Sequence, residues 1–208
     1  MALNMAIDYT LFLEFLEGGP PTWRFFGFSE PSVTLGKLQK RVPRQLLKYP
    51  IARRPTGGRA VLHDGDLVFS LVGSWRRGYF SGSVLETYRK TSKIWVEAAR
   101  SLGVPVEMSL GKPTGYSELC FESTSRYEIT LGGKKVVGIA QMREGEAFLE
   151  QGSVYIPADK SLLMKAVFEA LERRGLRPRW ARLEPETLER ARKMKEEFSY
   201  ESAGSNSG

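Results

Sequence analysis

The sequence predicts an α+β fold, a single domain over residues 1–198 in which mixed β-sheets are flanked by helices. Three observations carry this. Strand-like segments come in clusters and do not alternate strictly with helical ones, as a doubly wound parallel sheet would require. Two segments show helical periodicity with clear stop signals. The 208 residues, 41% hydrophobic and 26% charged, suit one globular domain with a sizeable core.

Taken in order, residues 2–17 read as an amphipathic helix. Leu3, Ala6, Ile7, Leu11, Phe12, Phe15 and Leu16 recur at helical spacing until Gly18-Gly19-Pro20-Pro21 stops them. Two strands follow, aromatic 23–28 and β-branched 32–38, around the turn Ser29-Glu30-Pro31. Residues 43–49 allow one or two helical turns. Segments 51–54, 59–63 and 67–72 read as strands, the last two joined through Asp64-Gly65-Asp66 as a hairpin-type turn. The clearest helix is 83–102, where Ser83 and Glu86 form a capping box and Gly103 closes the end. Residues 108–119 are a Gly/Pro/Ser loop. Segments 126–131, 135–141 and 146–155 read as strands, with Gly132-Gly133 as a tight hairpin. Residues 161–174 and 185–198 read as helices, and 199–208 as a small, polar, disordered tail.

Composition removes several functions. One cysteine (Cys120) and one histidine (His63) exclude an internal disulfide and a structural zinc site built from Cys and His. No run of about 18 apolar residues predicts a membrane span. The N-terminal segment carries Asp8 and Glu14 and lacks a basic start, so it does not read as a signal peptide, and a cytoplasmic setting with Cys120 as a free thiol is expected. The 31 Lys and Arg against 24 Asp and Glu give +7, which favours acidic partners without saying which.

Three clusters can carry chemistry. In Arg53-Arg54-Pro55-Thr56-Gly57-Gly58-Arg59-Ala60-Val61-Leu62-His63-Asp64, paired glycines let backbone approach a ligand and the arginines suit carboxylates or phosphates. A plain hairpin with surface arginines is the alternative. It is not a P-loop, because no Gly-Lys-Ser/Thr follows at the required spacing. Cys120 follows a polar loop that could present it as a nucleophile, although a lone cysteine is more often a small buried hydrophobe. In Gly133-Lys134-Lys135-Val136-Val137-Gly138-Ile139-Ala140-Gln141, strict alternation places Lys135, Val137 and Ile139 on one face and Val136, Gly138 and Ala140 on the other. Small residues at 138 and 140 leave room for an apolar chain. His63 alone reads as structural.

Together these segments resemble the biotin/lipoate protein ligase catalytic family, which includes the lipoate-protein ligase A type. Asn4-Met5-Ala6-Ile7-Asp8, Pro31 to Gln39, Arg53 to Asp64 and Gly133 to Gln141 each match a family motif, in order. Arg59, where lipoate ligases usually carry a third glycine, and Cys120 in Cys-Phe-x-x-x-Ser-x-Tyr-Glu are similar to the octanoyltransferases of Gram-positive type. The resemblance implies an acyl-thioester on Cys120, with Lys135 favouring its thiolate. It implies Arg54, Gly57, Gly58, Arg59, Val61, His63, Gly138, Ala140 and Gln141 as substrate-binding residues, and an apolar tunnel beside Gly138 and Ala140. The implied donor is octanoyl-acyl-carrier-protein. The implied acceptors are lipoyl-domain proteins, such as glycine cleavage H protein or the 2-oxoacid dehydrogenase E2. No metal, cofactor, nucleic acid or membrane is implied, and a monomer is expected.

Other readings stay open. An ATP- and Mg-dependent lipoate ligase shares the arginine–glycine and lysine motifs. An octanoyl amidotransferase between lipoyl domains would share the cysteine chemistry. A non-enzymatic basic binding module would rest on the charge and on Arg173, Arg174, Arg177, Arg179 and Arg182. That run also suits docking of an acidic carrier. Relative to the family, the chain begins where a preceding strand is usual, and it ends short of the ligases' accessory domain.

Overall fold

The computed structural model describes residues 1–109 and 127–200. Cys120 lies outside the described residues. The elements are α1 (Ala2–Leu16), β1 (Thr22–Phe26), β2 (Ser32–Leu35), a 3-10 turn Arg44–Leu46, β3 (Ile51–Arg53), β4 (Val61–His63), β5 (Leu67–Ser74) and α2 (Val84–Ser101). They continue with β6 (Glu107–Met108), β7 (Ile129–Leu131), β8 (Lys134–Glu144), β9 (Ala147–Val154), α3 (Lys160–Glu172), α4 (Pro185–Lys193) and a 3-10 turn Lys195–Phe198.

Six strands form one antiparallel sheet in the order β1-β5-β9-β8-β7-β6. Three more form a small sheet, β3-β2-β4, in which β2 runs parallel to β3 and antiparallel to β4. The α+β class with mixed sheets and flanking helices is therefore what the chain adopts.

Alternation along the long strands sorts side chains onto two faces. On one face Phe69, Leu71, Phe148, Ile129 and Val137 meet Ile94, Trp95, Ala98 and Ala99 of α2 and Leu163, Ala166, Val167 and Ala170 of α3. Ser83 and Glu86 close the predicted capping box on α2, and Asp159 caps α3 by accepting from the Leu162 amide. On the opposite face, Val72, Ala147 and Leu149 take Phe12 and Phe15 of α1. The far side of α1 is covered by Ala191 of α4 and by Phe198. Each such fully buried Phe or Leu contributes about 1.5–3 kcal/mol by leaving water.

Two connections depart from a hairpin, one by crossing between the sheets and one by crossing over a strand within the small sheet. The Asp64-Gly65-Asp66 turn joins β4 of the small sheet to β5 of the large one, so it is no hairpin. The Asp66 carboxylate is drawn inward to His63 and Ser153, which aims β5 away from β4. The 54–60 segment is likewise no hairpin, since β3 and β4 lie on opposite sides of β2 and the chain passes over the end of β2 between them. That passage ends β2 at Leu35, earlier than residue 38. The Lys37 amide donates to the Thr56 carbonyl, and the Arg53 guanidinium holds the carbonyls of Gly36 and Gln39. The Gly132-Gly133 hairpin forms as expected, with φ of +55° and +78° that glycine adopts without strain.

Candidate active site

The glycine loop is held from two sides. From below, Arg54 is buried and spends its guanidinium on the chain itself. Nε and Nη2 donate to the Gly57 carbonyl at 3.1 and 2.8 Å, and Nη2 donates to the Arg59 carbonyl at 2.7 Å. Its Nη1 donates to the Thr34 hydroxyl at 3.2 Å and to the Thr34 carbonyl at 3.1 Å. Arg54 therefore shapes the loop. Gly58 has φ +88°, and Gly36 lies so close to it that a Cβ at 36 would overlap the Gly58 carbonyl oxygen. Both glycines are thus required by geometry.

His63 continues this scaffold. Its Nδ1 lies 2.7 Å from Asp66 and its Nε2 2.8 Å from the Thr34 hydroxyl. A carboxylate can only accept, so Nδ1 donates to Asp66, while the Thr34 hydroxyl on the Nε2 side accepts from Arg54. The chain Arg54–Thr34–His63–Asp66–Ser153 is a continuous, buried run of hydrogen bonds. His63 is held at both ring nitrogens within this run. Val61, paired with Thr34 across β2 and β4, is buried on the same small sheet. Arg59 is half-buried, its carbonyl bound to Arg54.

The lysine motif departs from strict alternation. Ile129 pairs with Val137, but the next residue, Thr130, pairs with Lys135, so a bulge absorbs Val136. Residues directly opposite in an antiparallel pair share a face, while Ile129 and Thr130 point to opposite faces. Lys135 is therefore turned away from Val137 and onto the face of Gly138 and Ala140, correcting the expected split. Val136 joins Val137 in the α2-side core instead. The Lys135 side chain is 3% exposed, and its Nζ lies 2.6 Å from Glu128, whereas Lys134 is exposed. Between the two lysines, 135 is the inward one.

Ala140 lies under the loop, 3.6 Å from where a Gly58 Cβ would stand. Gly138 packs beside Gly152, where a Cβ would overlap the Phe69 ring and approach the Gly138 carbonyl oxygen to 2.9 Å. The lysine, the small residues and the glycine loop thus share one side of the large sheet. Gln141 does not. It faces α2, donating to Glu150 at 2.8 Å and accepting from Arg143 at 2.7 Å, and Arg143 also reaches the Thr87 hydroxyl and the Gly82 carbonyl. It stands one residue beyond Ala140 on an unbulged stretch of β8, which turns it to the other face, so the structure does not bring it together with the lysine and the glycine loop.

Burial pushes the Glu150 carboxyl up to about 7, against the Thr91 and Gln141 hydrogen bonds and the Arg143 charge, which pull it down. A raised folded value means that the folded state keeps this proton while the unfolded chain has already lost it. Stability from this group is full below the ordinary value of 4.5, falls as pH rises, and is gone above about 7. Over that window wild type should lose up to about 3 kcal/mol relative to Glu150→Gln. Thermal melts of both proteins at pH 5 and pH 8 check this; parallel shifts in the two proteins would contradict it.

Of the arginines near the C-terminus, Arg173 and Arg174 both bind Glu97 of α2, clasping α3 to it. Arg177, Arg179 and Arg182 are exposed. No described helix is long and apolar enough to cross a membrane.

The profile of the lipoyl protein ligase A/B catalytic domain matches residues 1–187. The chain belongs to this family. It is 40% identical over 182 residues to the octanoyltransferase LipM of Carboxydothermus hydrogenoformans, a match covering 83% of this chain and 68% of the relative. It is 38% identical to octanoyltransferase LipM of Moorella thermoacetica, with the same two coverages. These relatives carry acyltransferase names, and the chain is an enzyme of that class. In fold it is similar to a lipoate-protein ligase A bound with ATP, with a TM-score of 0.76 at 22% identity over 94% of this chain and 89% of the other. It is also similar to a bipartite lipoate protein ligase from Thermoplasma acidophilum, at 0.73 and 19% over 94% and 87%.

Proposed function

We propose that this chain is a protein octanoyltransferase of lipoate assembly, taking octanoyl from octanoyl-acyl-carrier-protein and passing it to the lysine of a lipoyl domain through a thioester on Cys120. The observation that carries this reading is the bulge that turns Lys135 inward, onto the side of the sheet that holds the glycine loop. The octanoyltransferase relatives at 34–40% identity support it.

The chemistry divides into two steps. The Cys120 thiolate attacks the donor carbonyl, the C–S bond to the carrier thiol breaks, and octanoyl rests on Cys120. The ε-amine of the acceptor lysine then attacks that thioester; an amide forms and the Cys120 sulfur leaves. Lys135, as an ammonium, favours the thiolate and moves a proton between sulfur and the departing or entering group. Because Arg54 holds the carbonyls of Gly57 and Arg59, the amides of that turn are the donors we assign to the developing oxyanion. A thioester is already activated, so no ATP enters.

Incubation with octanoyl-acyl-carrier-protein, without ATP, should add one octanoyl group by intact mass, and Cys120→Ala should add none. An equal adduct on Cys120→Ala defeats the reading, and so does transfer that requires ATP and survives that substitution, which is what a ligase predicts.

A further inference from the structure

A buried carboxylate on α1 has no place in the chemistry above, yet it is wired to the glycine loop. Asp8 is fully buried. Its Oδ1 accepts from Arg24 of β1 and from the Ser70 hydroxyl of β5, both at 2.7 Å. Its Oδ2 accepts from Nε2 of Gln151 on β9, also at 2.7 Å. The Gln151 Oε1 then accepts from the Thr56 hydroxyl at 2.8 Å, and Thr56 immediately precedes Gly57-Gly58. All four atoms of this path sit on residues that are almost entirely shielded from water.

The order of donors along the path follows from Asp8 alone. An amide can turn over, presenting either its oxygen or its nitrogen to Thr56. A carboxylate has only acceptors, so it takes the Gln151 nitrogen and leaves the oxygen for Thr56. The Thr56 hydroxyl must then donate, which settles its rotamer and the start of the turn. Burying a carboxylate is costly, and burial pushes this one up while Arg24 pulls it down. A packed apolar residue in α1 would serve stability as well. What it could not do is impose a direction on the hydrogen bonds ending at Thr56.

We propose that Asp8 is a positioning residue for acyl transfer, acting through Gln151 to fix the Thr56 hydroxyl and with it the placement of the Gly57-Gly58 turn. This rests on the octanoyltransferase reading given above. The loop is also held by Arg54, so Asp8 governs how accurately it is placed rather than whether it forms. A misplacement near 1 Å at a reacting centre costs on the order of 100-fold in rate.

The test is the kinetics of octanoyl adduct formation from octanoyl-acyl-carrier-protein, read as maximal rate and half-saturating donor concentration. Asp8→Asn and Thr56→Val should each lower the maximal rate about 10- to 100-fold while the half-saturating concentration moves less than about twofold. The pair should be little worse than the poorer single variant, because both break one path. Asp8→Asn combined with Gln151→Glu should recover most of the rate, since a carboxylate at 151 accepts from Thr56 and from the new amide at 8. Rates within twofold of wild type, additive losses, or no recovery in the transposed pair overturn the proposal. Should Asp8→Asn fail to fold, Thr56→Val decides alone: a loss restored by Thr56→Ser supports the path, and an unchanged rate overturns it. A wild type that forms no adduct defeats the octanoyltransferase reading itself, and this proposal with it.

Discussion

Gly36→Ala is expected to cut acyl transfer by about 100-fold and to destabilise the protein by about 1–3 kcal/mol. The added methyl would meet main chain, with the carbonyl carbon of Gly58 at 2.8 Å and the corresponding carbon of Gly57 at 3.0 Å. Neither can swing aside as a side chain would. The 57–58 turn carries the carbonyl that Arg54 binds, so relief of the clash must shift the turn and stretch those bonds. Gly57→Ala provides the contrast. A Cβ at 57 meets nothing within 4 Å, and its stability should stay within about 0.5 kcal/mol of wild type. Thermal unfolding separates the two variants, and adduct-formation rates show whether the loss at 36 is carried by the turn. Equal melting temperatures for Gly36→Ala and Gly57→Ala would mean that the two segments pack less closely than the geometry states.

Local signals were readable wherever cause and effect lie within a few residues. The Ser83–Glu86 box, the Gly132-Gly133 turn and the helix stop at Gly18-Gly19 are of this kind; the first two stand in the structure, and α1 ends at Leu16, one residue short of the expected 17. The motif strings also announced the glycine loop and the lysine strand. What could not be read was anything set by a distant partner. Asp64-Gly65-Asp66 has the composition of a hairpin, but whether its strands pair depends on Ser153, which draws Asp66 into the other sheet. Gln151 joins Asp8 to Thr56 across 143 and 95 residues of chain, and no periodicity marks it. Gln141 looked like a ligand contact because it ends a motif, whereas Glu150, directly opposite on β9, and Arg143 claim both ends of its amide. The face of Lys135 was misjudged for a physical reason: alternation assumes one residue opposite one, and a bulge breaks that count.

The bulge makes Lys135 the second site of large expected effect. Lys135→Met should slow formation of the octanoyl adduct by about 100- to 1,000-fold near pH 7, where most of the benefit is a favoured thiolate and a placed proton donor. An ordinary thiol ionises near pH 8.5, so bulk hydroxide supplies the thiolate increasingly above that value. The gap between wild type and variant should therefore narrow between pH 7 and pH 9.5. A gap that stays constant across that range would assign Lys135 to binding alone. One complication has a structural remedy. Removing the ammonium takes from Glu128, whose side chain is 14% exposed, the charge it faces at 2.6 Å, and a partly buried carboxylate that loses its ion pair destabilises the protein in its own right. Lys135→Met combined with Glu128→Gln removes that charge. The pair should recover the melting temperature lost in Lys135→Met while remaining as slow. If the second substitution restored the rate together with the stability, Lys135 would be a structural partner of Glu128 and no part of the chemistry. The bulge would then serve packing, since it also turns Val136 into the core.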